Sequence, residues 1–562
     1  MQNAGQIKPR DPDKVMRLAR LGSFHQSRLS FMRQLLRRFV AESWRFEQAA
    51  FDFDGKGVGH AVYTAHGPER SYSLIAFGND LPAEKRSDRV IATEWDAAFT
   101  LFDGVPEQAD IDRLRENVPK QEAGRISEKE LTLSRANRSV RLWDYVVDRL
   151  SKGLQPEIET LLEVGYLMRT TAVYGSGKFG AADRAQIVER PELQAPFQAE
   201  MLTVYLIRCF VLDLVEHIAR LRAPEDAAPL DRELRRYFGI GNSTGLGMAP
   251  FLINHPALLN AWIGAREEAL CRVRRVERAQ PGELKVLKSL VARAALHAEH
   301  WHSEHPLQVQ KLSDLRDDLG RVKHHLKKID ANASLPWNKL WLWVEDNLSL
   351  EGQEQCASLL LELYPDLVDP LANFMSTDEQ KTFPIDGAMQ IARLRQIIEE
   401  VYGWAINTDW SQVDSQARLW YTSEEKLEPR LGERFEEPLE PYEQPLGPGR
   451  DAAKLYRALN DARADTVAEF LLSHPEHRHI VRRAQIAGRL PYAEIRDNTI
   501  ASDMMPIDML RMKLSFFGAC DFDPRSDRWV RINMFQNAPF PHELAAETSD
   551  NWTLPPLQFA AQ

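Results

Sequence analysis

A glycine-rich segment, residues 237–256, is the feature that most constrains how this chain can fold. It contains Gly239, Gly241, Gly245 and Gly247 around Asn242, Ser243 and Thr244. Glycine is favoured where the backbone takes a positive φ or where another group approaches the main chain closely, and it weakens the interior of a helix. The segment therefore predicts a loop, and the apolar run after it predicts a helix from Pro256.

A loop of this kind has a chemical use as well as a structural one. Backbone N–H groups in a glycine-rich turn before a helix attract anions, and the helix dipole adds to the attraction. The predicted substrate-binding groups are Gly241, Asn242, Ser243, Thr244 and Gly245. The structural alternative is a helix cap, a tight turn and an N-cap for the next helix.

A second glycine-rich turn follows Arg169, in the sequence RTTAVYGSGKFG. A nucleoside triphosphate loop is excluded because Phe179 stands where that motif requires serine or threonine after Lys178. Arg169 can hold a carboxylate or phosphate in bidentate fashion, while Lys178 can act as a point charge or a base and Tyr174 as an acid or base. The alternative is a helix carboxyl end with its usual basic residues and glycine cap. We predict that the two glycine-rich segments form one pocket, with Arg169, Tyr174 and Lys178 as catalytic residues.

A histidine cluster between residues 296 and 305 offers a different chemistry. Its candidate metal ligands are His297, Glu299, His300 and His302. Glu299 and His302 form an ExxH pair, the spacing that carboxylate-bridged di-iron bundles use. The HExxH zinc pattern is absent. A metal-dependent oxidase is therefore one alternative function, and a polar helix end before Pro306 is the structural alternative.

Composition excludes several classes of protein. A net charge of −11 argues against a protein that coats nucleic acid, because phosphate binding needs basic clusters. No apolar run approaches the roughly 20 residues that span a bilayer, so we expect no integral membrane segment. The cysteines are far apart and form no CxxC pair, which predicts reduced, buried thiols and a cytoplasmic protein. They are Cys209, Cys271, Cys356 and Cys520.

The pattern of the chain predicts an α+β fold that is predominantly α-helical. Residues 12–45 have an apolar face at helical spacing, and residues 46–77 have the alternation and turn signals of a three-stranded antiparallel meander. From residue 111 to 420 the chain reads as helices, including 127–150 and 155–172. The predicted domains are 1–110, 111–420, an acidic proline-rich linker over 421–450, and a small mixed unit over 451–562.

Together these patterns predict an enzyme that acts on a small carboxylate- or phosphate-bearing metabolite, with lyase or transferase chemistry. They identify no particular cofactor. The alternative from a different class is a non-catalytic helical scaffold that binds protein partners, and the long helices are compatible with a homo-oligomer in either case.

Overall fold

The structure is a computed structural model of the chain. It describes residues 7–86, 94–118, 127–162, 164–170, 189–242, 256–301, 306–330, 335–375, 385–411, 419–421, 429–431, 448–496, 511–518, 521–523, 531–546 and 551–554. The chain divides into two compact units. The sheet unit comprises His25–Gly245, Leu290–Glu304 and Lys513–Gln562, and the helical unit comprises Met1–Phe24, Leu246–Ser289 and His305–Met512. Each unit combines distant segments, and the four consecutive domains suggested by the sequence remain a prediction.

Eleven strands occur in the described residues. They are β1 (Arg45–Phe53), β2 (Gly59–His66), β3 (Ser71–Gly78), β4 (Ala97–Asp103), β5 (Glu130–Arg138), β6 (Tyr166–Thr170), β7 (Gly239–Asn242), β8 (Leu419–Tyr421), β9 (Pro429–Leu431), β10 (Asp521–Asp523) and β11 (Arg531–Met534). Nine of them form one sheet in the order β1-β2-β3-β4-β5-β6-β7-β11-β10, and β8 pairs with β9. Within this sheet β6 and β7 are the one parallel pair among the described neighbours.

The three-stranded meander predicted for residues 46–77 is confirmed as β1, β2 and β3. The helices predicted over residues 127–150 and 155–172 are wrong in part, because β5 and β6 occupy 130–138 and 166–170. Both strands are buried along nearly their whole length. Strands covered on both faces lose the alternation of polar and apolar residues, so their apolar runs resemble those of helices.

Helices make up most of the remaining described residues. They are α1 (Pro12–Val15), α2 (Phe31–Ala41), α3 (Gln108–Asn117), α4 (Trp143–Ser151), α5 (Ile158–Leu162), α6 (Gln198–Arg222), α7 (Arg232–Tyr237), α8 (Pro256–Arg274), α9 (Pro281–Glu299), α10 (Pro306–Lys327), α11 (Trp337–Asn347), α12 (Leu350–Leu361), α13 (Pro365–Val368), α14 (Ile391–Ile406), α15 (Pro448–Asp461), α16 (Val467–Ser473) and α17 (Arg478–Ala487). The protein is therefore α+β and predominantly helical, with a mainly antiparallel sheet. None of the described helices is long and apolar enough to cross a membrane.

The two faces of the large sheet are covered differently. On one face α3 packs over an apolar cluster that includes Ile75, Phe77 and Leu133. On the other face α6 crosses the strands, and the hydroxyl groups of Thr132 on β5 and Thr203 on α6 lie 2.7 Å apart. Because side chains alternate along β5, Thr132 and Ala136 lie on the α6 face, while Leu133 and Asn137 lie on the α3 face.

The helix predicted over residues 12–45 is wrong. The structure forms α1 over Pro12–Val15 and α2 over Phe31–Ala41, with non-helical chain and a short 3-10 turn between them. Ser30 begins α2 by accepting a hydrogen bond from the backbone N–H of Arg33 at 3.4 Å. A side-chain cap at this position starts a new helix, so the apolar face seen in the sequence belongs to two separate elements.

In the helical unit, α14, α15, α16 and α17 enclose one apolar cluster centred on residues such as Leu394, Leu455 and Phe470. The predicted acidic linker over 421–450 lies mostly outside the described residues. The exceptions are Tyr421, Pro429–Leu431 and residues 448–450.

Candidate functional site

The parallel strands β6 and β7 bring the described part of the two predicted segments, residues 169–170 and Gly239–Asn242, side by side. Arg169 of β6 pairs with Gly241 of β7, and Thr170 pairs with Asn242. Arg169, Thr170 and Asn242 are 3%, 0% and 1% exposed. β6 ends at Thr170 and β7 at Asn242, so the carboxyl ends of both strands lie at the same edge of the sheet. This carboxyl edge of β6 and β7 is the candidate site.

The pairing also shows on which face each side chain lies. Paired residues share a face, so Thr170 and Asn242 lie with Ala136 on the α6 face, whereas Arg169 lies with Asn137 and Gly241 on the α3 face. Arg169 and Asn242 therefore occupy opposite faces of adjacent strands. Their side chains can approach one ligand only beyond the ends of the strands, where the two faces meet.

Gly239 and Gly241 belong to strand β7, so the loop predicted from Tyr237 onward is wrong over residues 239–242. Neither glycine has a positive φ. A Cβ atom on Gly241 would lie 2.7 Å from the ring of Tyr166, and one on Gly239 would lie 2.7 Å from the backbone carbonyl oxygen of Met534. Glycine is required at these positions because an aromatic ring and the neighbouring backbone approach β7 closely.

The connection from β6 to β7 contains α6 and α7, which makes a β-α-β crossover unit. In such a unit the crossover helix runs antiparallel to its strands, so its amino end lies at the carboxyl edge of both strands. That end is the start of α6 at Gln198, where the helix dipole gives a partial positive charge. The geometry is the one that α/β proteins use to hold anionic ligands.

The amino end of α2 lies beside that of α6. The side chain of Gln198 donates from Nε2 to the carbonyl oxygen of Phe31 at 3.4 Å, and the rings of Phe31 and Phe197 lie 4.9 Å apart. Further along, the rings of Phe39 on α2 and Tyr205 on α6 are 5.4 Å apart. The two helices therefore run in the same direction, and both positive ends lie at this edge.

The chain that leads into α2 and the first turn of that helix are polar yet buried. The buried polar residues are His25, Gln26, Ser27, Arg28, Ser30, Arg33 and Gln34. Arg33 is completely buried, and burying a guanidinium is costly unless it is hydrogen-bonded and paired with negative charge. Glu200 in the first turn of α6 is a half-buried acid at the same end of α6.

A π-helical turn over Lys513–Phe517 packs against this segment. The N–H of Ser27 donates to the carbonyl oxygen of Ser515 at 2.9 Å, and the Ser515 hydroxyl donates to the carbonyl oxygen of His25 at 3.2 Å. The ring of Phe517 contacts that of Phe197, whose φ of 62° is unusual for a bulky residue. π-helical turns and strained residues occur often at functional sites.

Other predicted site residues cannot be placed. Tyr174, Lys178, Ser243, Thr244 and Gly245 lie outside the described residues. The prediction that a helix ends at Arg169 is wrong, since Arg169 is in a strand.

The histidine cluster lies at the end of α9. Glu299 and His300 are exposed, His297 is half-buried, and His302 lies outside the described residues. His300 pairs through Nδ1 with the carbonyl oxygen of Leu296 at 2.9 Å. Among the residues that the structure describes, no group of three or more His, Cys, Asp or Glu side chains could hold a metal ion.

The described cysteines offer no nucleophile. Cys209, Cys271 and Cys356 are buried and unpaired with one another. Burial raises the pKa of the Cys209 and Cys356 thiols to about 12, and it raises the pKa of Cys271 as well. Thiols with such pKa values are protonated at neutral pH and react slowly.

Sequence reasoning missed the contribution of residues 25–34 to the candidate site, because their arginines were interpreted as the polar face of one long helix. The signal that could have found the break was Ser30 directly before the apolar Phe31, a typical helix start. It also overlooked that Gly175, Gly177 and Gly180 have the G-x-G-x-x-G spacing of phosphate-binding turns. That sequence follows the first strand of the parallel pair.

Neither a protein-family model, nor a curated protein, nor a solved structure matches this chain. What the fold and the site define is an α+β protein with a polar, arginine-bearing edge of a sheet.

Proposed function

We propose that this protein is an enzyme that binds a small anionic metabolite, a carboxylate or a phosphate ester, at the carboxyl edge of β6 and β7. The observation that carries the proposal is the parallel pairing of Arg169 with Gly241 and of Thr170 with Asn242. Ligands of sheets with parallel strands bind at the carboxyl ends of those strands. The ligand therefore sits beyond Thr170 and Asn242, with Arg169 as its charged anchor.

The electrostatics of this edge support an anion. The amino ends of α2 and α6 both carry partial positive charge, and Arg28, Arg33 and Arg169 are buried in the same unit. Arginine is suited to this role because its planar guanidinium meets a carboxylate or phosphate with two hydrogen bonds.

Thr170 supplies a second kind of support. Its side chain is fully buried, and its Oγ1 has no hydrogen-bond partner within the described residues. A buried polar atom without a partner costs free energy, and such atoms in native proteins often serve a ligand. The Thr170 hydroxyl is therefore a ligand donor in this proposal.

The proposed reaction is a lyase or transferase step in which negative charge develops on the bound substrate. Asn242 and the amino end of α6 stabilise that charge, while Tyr174 and Lys178 exchange protons with the substrate. Ser243, Thr244 and Gly245 keep the substrate-binding role that the sequence predicts for them. The proposal includes a cytoplasmic enzyme with reduced thiols and long helices available for homo-oligomer formation.

The test compares Arg169→Lys with Arg222→Lys, an exposed arginine at the far end of α6. Inorganic phosphate, succinate and glycerol phosphate are titrated calorimetrically into the full-length chain. We expect at least one anion to bind the wild type and Arg222→Lys equally, and to bind Arg169→Lys about tenfold or more weakly because lysine loses the bidentate contact. Equal affinity of all three proteins for every bound anion would overturn the proposal.

Thr170→Val gives an independent measure. Without ligand we expect its free energy of unfolding to be unchanged or higher by about 1–2 kcal/mol, because an unpaired buried hydroxyl is removed. Anion affinity should fall in the same variant. A loss of stability without any change in affinity would assign the hydroxyl to the fold instead.

A further inference from the structure

A cleft in the helical unit lies apart from the residues discussed so far. One wall is a stripe of α14 that bears Arg393, Ile397 and Val401, and the opposite wall is the end of α17 with the turn that follows it. Its volume is about 330 Å³. This is within the range of about 300–1,000 Å³ in which small-molecule sites fall.

The floor of the cleft is a carboxylate whose charge is already neutralised. Glu494 is 4% exposed and lines the cleft. Its two oxygens accept hydrogen bonds from Nε and Nη2 of Arg483 at 2.5 and 2.9 Å, and one also accepts from the Tyr402 hydroxyl at 2.9 Å. Because this ion pair is bidentate, the carboxylate of Glu494 repels a bound anion only weakly.

The rim carries an excess of positive charge. Arg393, Arg489 and Arg496 line the cleft against one further acid, Glu400. Arg393 lies 3.4 Å from Glu400, with both side chains about half exposed. Arg496, whose side chain is 24% exposed, lies 3.3 Å from Asp13, whose side chain is 80% exposed. The exposed pair of Arg393 with Glu400 is weak, so a bound anion can replace it.

The wall also contains the carboxyl end of α17. The N–H of Gly488 donates to the carbonyl oxygen of Ala484 at 2.9 Å, and that of Arg489 donates to Ile486 at 3.1 Å. These bonds cap part of the helix end, and the partial negative charge that the helix dipole leaves there is smaller than the full positive charge of each arginine.

Gln485 adds a neutral donor to the same wall. Its Oε1 accepts a hydrogen bond from the N–H of Ile385 at 3.2 Å, which leaves the NH₂ group of the amide as a donor. The remaining lining is apolar and includes Ile397, Val401 and Leu490. The cleft thus combines guanidinium groups, an amide donor and an apolar wall.

We infer that this cleft binds a small organic anion, a carboxylate or phosphate monoester with a short apolar chain. The head group lies against Arg393 and Arg489 and accepts a hydrogen bond from Gln485, and the chain packs on Ile397 and Leu490. This site is separate from the one proposed on the sheet and does not depend on it.

The experiment titrates hexanoate and hexyl phosphate calorimetrically into the full-length chain. We expect saturable binding of at least one probe, weakened about tenfold or more by Arg393→Ala and by Arg489→Ala, because each loses a charge-assisted contact. Ala487→Phe, which places a ring in the cleft without changing charge, should abolish binding. Thermal unfolding of each variant confirms that it folds as the wild type does.

The matched control is Arg395→Ala, on the same helix but bonded to Asn460 and not lining the cleft. Arg395→Ala should bind the probes as the wild type does, whereas any binding that only Arg169→Lys weakens belongs to the sheet site. No saturable binding of either probe would overturn the inference. The inference would also be overturned if Arg169→Lys weakened probe binding and the cleft variants did not, because the probes would then occupy the sheet site.

Discussion

Replacing Arg10 with methionine should destabilise the helical unit strongly, because it removes the centre of a buried network of charges. The guanidinium of Arg10 donates to Glu267 at 2.7 and 2.8 Å and to Glu354 at 2.7 and 3.0 Å. It also lies 5.4 Å from the ring of Trp341. Methionine fills a similar volume and leaves two buried carboxylates without their main partner.

The magnitude follows from the pKa of Glu267. Burial alone would raise this pKa, but the guanidinium groups of Arg10 and Arg266 lower it to about 2 from its ordinary value of 4.5. That difference corresponds to roughly 3 kcal/mol of native stability at neutral pH. Because breaking a buried ion pair on one side typically costs about 3–5 kcal/mol, we expect Arg10→Met to lose that amount.

The pH dependence of the loss has a definite sign. In the wild type the stability from Glu267 is complete above its unfolded pKa near 4.5 and disappears as the pH falls through the folded pKa near 2. In Arg10→Met one of the two guanidinium groups is lost while the burial remains, so the pKa of Glu267 rises and acid removes less of this contribution. The stability difference between the two proteins should therefore shrink as the pH is lowered below about 4.5.

The assay is urea unfolding followed by tryptophan fluorescence, since Trp341 lies against the network. Lys14→Ala is the control. Lys14 forms an ion pair with Glu345, and the side chain of Lys14 is 42% exposed. Loss of this exposed pair should cost less than about 1 kcal/mol of stability. Adding Glu267→Gln to Arg10→Met should recover part of the stability. The reasoning is refuted if Arg10→Met costs no more than Lys14→Ala, or if its cost does not change with pH.

Two further predictions concern packing. Gly241→Ala should destabilise the sheet unit by about 1–3 kcal/mol, because its Cβ would lie 2.7 Å from the Tyr166 ring. Gly282→Ala is the control: its Cβ would have no atom within 4 Å, so the substitution should cost little stability or add some. Thermal unfolding compares the two variants. The thiols of Cys209 and Cys356 should resist iodoacetamide in the native protein and react on unfolding, because burial raises their pKa to about 12. Rapid native alkylation detected by mass spectrometry would contradict the burial of these thiols.

The candidate site was only partly accessible to sequence reasoning. Glycine-rich turns after Arg169 and Tyr237 predicted an anion site that joins the two segments, and this remains a prediction. The structure shows that the strands β6 and β7 are neighbours. The sequence could not show that Arg169 and Asn242 stand on opposite faces of the sheet. That arrangement depends on strand register, including an irregularity between Tyr166 and Arg169 that shifts the side-chain alternation by one.

Local patterns by themselves determined the elements whose residues interact with near neighbours. The meander of β1 to β3 follows from alternation and turn residues, and most helices of the helical unit follow from apolar spacing. Both signals lie within a few residues of one another, so no distant contact is needed to read them.

Only the tertiary structure decided the features made by distant partners. β5 and β6 are strands because neighbours cover both of their faces, and that burial removes the alternation that would have identified them. Arg10 is buried because Glu267 and Glu354, 257 and 344 positions away, close around it. From the sequence alone an arginine is expected to be exposed to solvent. Only the folded structure brings the carboxylates close enough to allow its burial.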